Sequence, residues 1–120
     1  MRKQPRQRCA NRTEGKRRMP DHYFTAEPQS EHKPGRYETL YRGHTLLFET
    51  DSGVFSRSGL DRGTEILLNA LPEGIRGRVL DMGCGYGALG LSIKAANPAC
   101  ELTMADINER AVALARENAR

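Results

Sequence analysis

Tryptophan is absent and aromatic residues make up only 6% of the 120-residue chain, so whatever core forms must rest mainly on aliphatic side chains. No stretch approaches the ~18 consecutive apolar residues that a membrane-spanning helix requires. Cysteine is scarce: Cys9, Cys84 and Cys100 are odd in number and lack the paired spacing of a metal knuckle or a disulfide framework. A reducing, cytoplasmic setting is therefore the expectation. The three histidines, His22, His32 and His44, are not spaced as ligands either, and no metal is expected. The N-terminus is basic, but no apolar stretch follows it, which excludes a secretory signal. It also lacks the serines and the apolar face of a mitochondrial presequence. No internal repeat is visible.

Acidic residues are almost missing from the first 18 positions, which carry eight Lys/Arg and a single acid, Glu14. The net charge of +4 thus divides into +7 on this segment and −3 on the rest. With hardly any large apolar side chains, residues 1–18 cannot bury enough surface to offset the entropy of ordering, and a disordered basic tail is expected. Clustered arginine suits an arm that contacts RNA phosphates; a solvated extension without a task is the plainer alternative. The length that remains, 19–120, accommodates one domain and not two.

What is present reads as a hairpin followed by alternating strands and helices. Tyr37-Glu38-Thr39-Leu40-Tyr41 and Thr45-Leu46-Leu47-Phe48-Glu49 are rich in strand formers around a turn at Arg42-Gly43. Asp61 is a candidate cap for a helix over 61–71, in which Ile66, Leu67, Ala70 and Leu71 recur at helical spacing. Arg78 to Met82 then reads as a buried strand and Ala88 to Ala96 as a helix closed by Asn97-Pro98. Glu101 to Asp106 is a second strand, and Asn108 caps a last helix with Ala111, Val112, Leu114 and Ala115 on its apolar side. Strand–helix–strand–helix predicts an α/β fold with a Rossmann-like, doubly wound parallel sheet, preceded by the hairpin. Two strands alone leave an exposed edge, so the sheet is expected to be incomplete and the chain to be the N-terminal part of a larger domain.

The chemistry concentrates in Asp81-Met82-Gly83-Cys84-Gly85-Tyr86-Gly87, where the first strand meets its helix. Glycines there permit a tight turn and let a ligand approach the backbone. Asp106 ends the next strand, 21 residues after Gly85, where a carboxylate accepts hydrogen bonds from ribose hydroxyls. Both a dinucleotide and S-adenosylmethionine fit glycines with a distal acid, and Gly83-x-Gly85-x-x-Ala88 satisfies the relaxed dinucleotide fingerprint. Asp81 favours the second. Under the loop it would repel a pyrophosphate, whereas it suits the ammonium and sulfonium of S-adenosylmethionine.

Asp81 to Gly87 resembles motif I of class I S-adenosylmethionine-dependent methyltransferases, and Met104-Ala105-Asp106-Ile107-Asn108 resembles their second motif. Thr50-Asp51-Ser52-Gly53-Val54-Phe55-Ser56 with Leu60-Asp61-x-Gly63-Thr64 is similar to the lead-in of the methyltransferase small-domain family. The pattern, with His22-Tyr23-Phe24, is nearest to bacterial small-subunit ribosomal RNA guanine-N2 methyltransferases. The resemblance implies a cofactor site of Asp81, Gly83, Cys84, Gly85, Gly87, Asp106 and Ile107. Gly83, Cys84 and Gly85 would line the methionine part through their backbone, Asp81 would lie near its amino group, Asp106 on the ribose and Ile107 against the adenine. Gly53 to Ser56 would cover the active-site side, and ribosomal RNA would be the partner. Protein-glutamine and tRNA-adenine methyltransferases share the same first motif. The family's Asn-Pro-Pro-aromatic segment, which positions the target nitrogen, is not in this sequence, so no catalytic residue can be named and the chain alone is expected to be inactive.

Plainer roles compete at several positions. Asp61 suits a helix cap better than a ligand, and Phe55 suits core as well as active-site wall. Cys84 reads as a small loop residue with no base beside it. Tyr37, Tyr41 and Phe48 at alternate positions read as hairpin packing before base stacking.

Overall fold

The computed structural model describes residues 31–54 and 59–120, together with the backbone of residues 2–3. Strands β2 (Gly35–Tyr41) and β3 (His44–Thr50) form the expected antiparallel hairpin, paired from Gly35↔Thr50 to Tyr41↔His44. Its two turn residues both have positive φ, 47° at Arg42 and 83° at Gly43. This is the mirror-image turn whose twist matches that of the strands. Arginine at such a position is strained, and the tertiary contacts here compensate. Its guanidinium donates to the carbonyls of Leu71 (2.6 Å) and Pro72 (3.2 Å) and lies 5.0 Å from the Tyr41 ring centroid. The hairpin tip is thereby fastened to the end of α1 (Arg62–Ala70).

Asp61 caps α1, its side chain accepting from Thr64 N at 3.3 Å. The buried position in this helix is Leu68, however, and not the expected Ile66 and Leu67, which are 57% and 46% exposed. Only a narrow strip of α1 meets the rest of the molecule, where Leu68 packs with Tyr41, Ile93 and Cys100. The Tyr41 hydroxyl donates to Leu68 O across the same contact.

Next come β4 (Arg78–Met82), α2 (Ala88–Ala96), β5 (Glu101–Ala105) and α3 (Glu109–Asn118). β4 and β5 are parallel, in register from Arg78↔Glu101 to Met82↔Ala105. Leu91 of α2 and Ala111 and Ala115 of α3 share one buried cluster with Leu102 and Met104, so both helices lie on the same face of the sheet. The expectation of a buried β4 therefore holds fully for Asp81 and in part for Val79. Leu80 and Met82 point to the other face and are 55% and 67% exposed.

Two residues of the segment expected to be a disordered tail, Arg2–Lys3, form a short strand β1 beside β5, giving the parallel order β1-β5-β4. The rest of that segment, His22-Tyr23-Phe24 and Phe55-Ser56 lie outside the described residues.

Candidate cofactor site

The glycine loop leaves β4 and crosses the end of β5. The N–H groups of Gly83 and Cys84 both donate to Ala105 O, at 2.7 and 2.9 Å, and Gly85 N donates to the Asp106 carboxylate at 2.7 Å. The other Asp106 oxygen accepts from Asn108 N at 2.8 Å. Two backbone donors thus orient Asp106 from either side, and each oxygen keeps a lone pair for a further donor. The two motifs that the sequence placed 21 residues apart meet directly.

The loop glycines fall into two kinds. Gly83, Gly85 and Gly87 all have positive φ, 73°, 58° and 104°. A Cβ built at Gly83 or Gly85 meets no atom within 4 Å, so open space adjoins the loop there. At Gly87 it would approach Leu91 Cδ1 to 2.8 Å, so this glycine serves the packing of α2 on the sheet. Cys84 is buried, with its thiol directed at Gly85 O, 3.3 Å away. Ile107 is half-buried beside Asp106.

Asp81 is only 7% exposed and accepts a hydrogen bond from Gly90 N at 2.9 Å. The cap of α2 is Gly87, which has no side chain to offer, so the neighbouring strand supplies the acceptor for the first turn of the helix. Burial pushes the Asp81 carboxyl up to about 6, the Gly90 N–H opposes this, and the charge of Asp106 adds to it. The group remains mostly ionised at neutral pH.

Several residues that sequence reading left out of the site turn out to frame it. Tyr86, in the middle of the loop, is 3% exposed. Its hydroxyl meets that of Tyr37 at 2.6 Å, and its ring lies 6.0 Å from Tyr37 and 5.8 Å from Phe48. Burial raises the Tyr37 phenol above its usual range, partly offset by the bond to Tyr86. Asn118, at the end of α3, donates to Tyr86 O at 2.9 Å and exchanges two hydrogen bonds with the backbone of Glu49. Asn108 Nδ2 and Arg110 Nη1 hold the carbonyls of Gly53 and Ser52 at 2.9 and 2.7 Å. Asp51 accepts from the N–H groups of Lys33 and Ser52 and meets His32 Nδ1 at 2.5 Å. Val54, 2% exposed, joins the cluster that contains Cys84 and Tyr86. The segment after the hairpin is thus brought beside the loop. The resemblance placed Gly53 to Ser56 on this side, whereas Tyr37 and Phe48 read only as hairpin packing. Asn118 gave no signal, because its partners are 69 and 32 residues away.

A parallel strand–helix unit with a glycine loop and a carboxylate at the end of the adjacent strand defines a Rossmann-like nucleotide-cofactor class. The sequence model of the family described as "Methyltransferase small domain" matches residues 45–120, and the chain belongs to that family. It is 37% identical over 102 residues to "Uncharacterized protein YbxB" of Bacillus subtilis, covering 84% of this chain and 51% of that protein. It is 39% identical to "Ribosomal RNA small subunit methyltransferase C" of Mannheimia succiniciproducens, covering 82% of this chain and 31% of that one. Among solved structures it is similar to a T. thermophilus 16S rRNA N2 methyltransferase in complex with AdoMet and guanosine. That match has a TM-score of 0.65 at 30% identity and covers 76% of this chain and 25% of the other. The chain spans about half the length of the first of these relatives and a third or less of the other two.

Proposed function

We propose that this chain carries the S-adenosylmethionine site of a methyltransferase acting on guanine N2 in small-subunit ribosomal RNA. The observation that carries the reading is the Gly85–Asp106 junction. It combines open space against two left-handed glycines with a carboxylate already oriented at the end of β5. The residues fit the cofactor: Asp106 offers acceptors to ribose hydroxyls, Gly83 and Gly85 leave room for the methionine part, and buried Asp81 supplies negative charge beneath the loop. Ile107 contributes an apolar surface for the adenine. The bound cofactor supplies an electrophilic methyl group, and the protein's task is to hold it in line with the acceptor nitrogen.

The names of the relatives support ribosomal RNA as the acceptor and AdoMet as the methyl donor. Among the described residues no helix is long and apolar enough to cross a membrane, and no group of three His, Cys, Asp or Glu is placed to hold a metal.

Calorimetric titration of S-adenosylmethionine tests the reading directly. Saturable binding is expected, weakened at least about tenfold by Asp106→Ala through loss of hydrogen bonds to a charged acceptor. In a protein that joins this chain to an Asn-Pro-Pro-aromatic segment, labelled methyl groups should pass from the cofactor to small-subunit ribosomal RNA, at guanine N2, whereas the chain alone should bind the cofactor without transfer. A folded protein that binds no S-adenosylmethionine would refute the assignment.

A further inference from the structure

The glycine loop fixes its own shape only in part, through a turn closed by Gly87 N donating to Cys84 O at 3.0 Å. Gly85 and Gly87 flank Tyr86 with φ of 58° and 104°, in a region that glycine enters and leaves at little cost. Left to itself, a Gly-Tyr-Gly segment would sample many conformations, and a cofactor would have to select one at the expense of affinity. Beyond that turn, Gly83 and Cys84 are tied to Ala105, and Gly85 to Asp106. The central residue is held from outside. Its hydroxyl is bonded to Tyr37 on β2, its ring is enclosed by Tyr37 and Phe48, and its carbonyl is held by Asn118. Asn118 is itself locked to β3 by paired bonds to Glu49 N (2.8 Å) and Glu49 O (3.1 Å). The hairpin, which belongs to neither the parallel sheet nor its crossovers, is thus joined to the loop at its most deformable point.

We infer that Tyr37 and Asn118 are positioning residues: through Tyr86 they hold the glycine loop in the shape that receives the methionine part of the cofactor. The inference rests on the cofactor reading above. The adenosine part, by contrast, is carried by Asp106 and Ile107 after β5, whose placement comes from the strand and Asn108, with Gly85 N the one bond reaching Asp106 from the loop. The two halves of the cofactor therefore depend mainly on different supports, since Tyr37 and Asn118 reach the loop at Tyr86 and not at Gly85, and perturbing that hold should separate them.

Tyr37→Phe removes only the hydroxyl and keeps the ring between Phe48 and Tyr86. Asn118→Ala removes the bridge to Glu49 and Tyr86. Affinities for S-adenosylmethionine and for adenosine, which lacks the methionine part, would be measured on the parent and both variants, with circular dichroism to confirm folding. Each lost hydrogen bond corresponds to about a fivefold change. S-adenosylmethionine affinity should fall about fivefold in Tyr37→Phe and further in Asn118→Ala, while adenosine affinity stays within twofold of the parent (about the limit of such a comparison). Equal loss for both ligands would mean general loosening and overturn the inference, as would unchanged S-adenosylmethionine affinity. Should Asn118→Ala not fold, the milder Tyr37→Phe decides alone. A parent that binds no S-adenosylmethionine refutes the cofactor reading itself and this inference with it, and that result is seen before any variant is made.

Discussion

Asp81 shows how one side chain serves two demands. It lies between β4 and the first turn of α2, and Gly90 must be glycine-sized for it to fit: a Cβ there would come within 2.8 Å of its carboxylate oxygen. Burial raises its pKa from the ordinary 3.8 to about 6. Between those values the folded protein binds more protons than the unfolded chain, so stability falls as pH rises across that window and is level above it. Urea denaturation of the parent and Asp81→Asn from pH 4 to 7 should show it. The parent's stability relative to the variant should decline by about 1.4 kcal/mol per pH unit within the window, and a constant difference would contradict the burial argument. A cationic ligand near this carboxylate favours its ionised form, so S-adenosylmethionine should bind more tightly as pH rises through about 6.

At the scale of elements, α3 does more than cover the sheet. Its cap residue Asn108 is 1% exposed, accepts from Ala111 N at 3.1 Å, and donates to Gly53 O at 2.9 Å. It therefore starts a helix, helps orient Asp106 through its own N–H, and anchors the segment that follows the hairpin. At the far end of the same helix Asn118 reaches both β3 and the glycine loop. Asn108→Ala is expected to lower unfolding free energy by about 2 kcal/mol, near the upper range for a lost cap because the side chain also leaves the Gly53 contact. Asn108→Ser keeps a capping acceptor without burying a charge and gives up the bond to Gly53, so it should recover part of the loss. Thermal melts of the two variants would check the order, and equal losses would argue against the cap.

For the whole molecule, the hairpin and the parallel unit act as one body because a single cluster runs from Phe48 and Val54 through Tyr86 to Leu102 and Met104. The proposed cofactor site lies at that seam. A ligand that binds the folded chain and not the unfolded one stabilises it by mass action, by about 2.7 kcal/mol at a hundredfold excess over its Kd. S-adenosylmethionine should therefore raise the melting temperature of the entire cooperative transition rather than of one part. A biphasic melt, with only one phase shifted by ligand, would show that hairpin and sheet unfold separately.

Much of the fold follows from local chemistry that any reader of the sequence can follow. The bounds of β4 and α2, the hairpin turn at Arg42-Gly43, and the caps Asp61 and Asn108 all lie where strand formers, glycine and short polar side chains put them. The pairing of the glycine loop with Asp106 was legible too, because both sit at strand ends whose parallel register brings them together. Tertiary structure alone decided the rest. Apolar spacing could not show that Leu68, and not Ile66 or Leu67, faces the core, since that depends on which strip of α1 has a neighbour. Nor could it show that Leu80 and Met82 face away from the helices. The division of the glycines into those that open the site and those that pack, and the hold of Tyr37 and Asn118 on Tyr86, arise from contacts between residues distant in sequence. Periodicity records what a residue tends to do beside its neighbours in the chain, whereas these roles are set by neighbours in space.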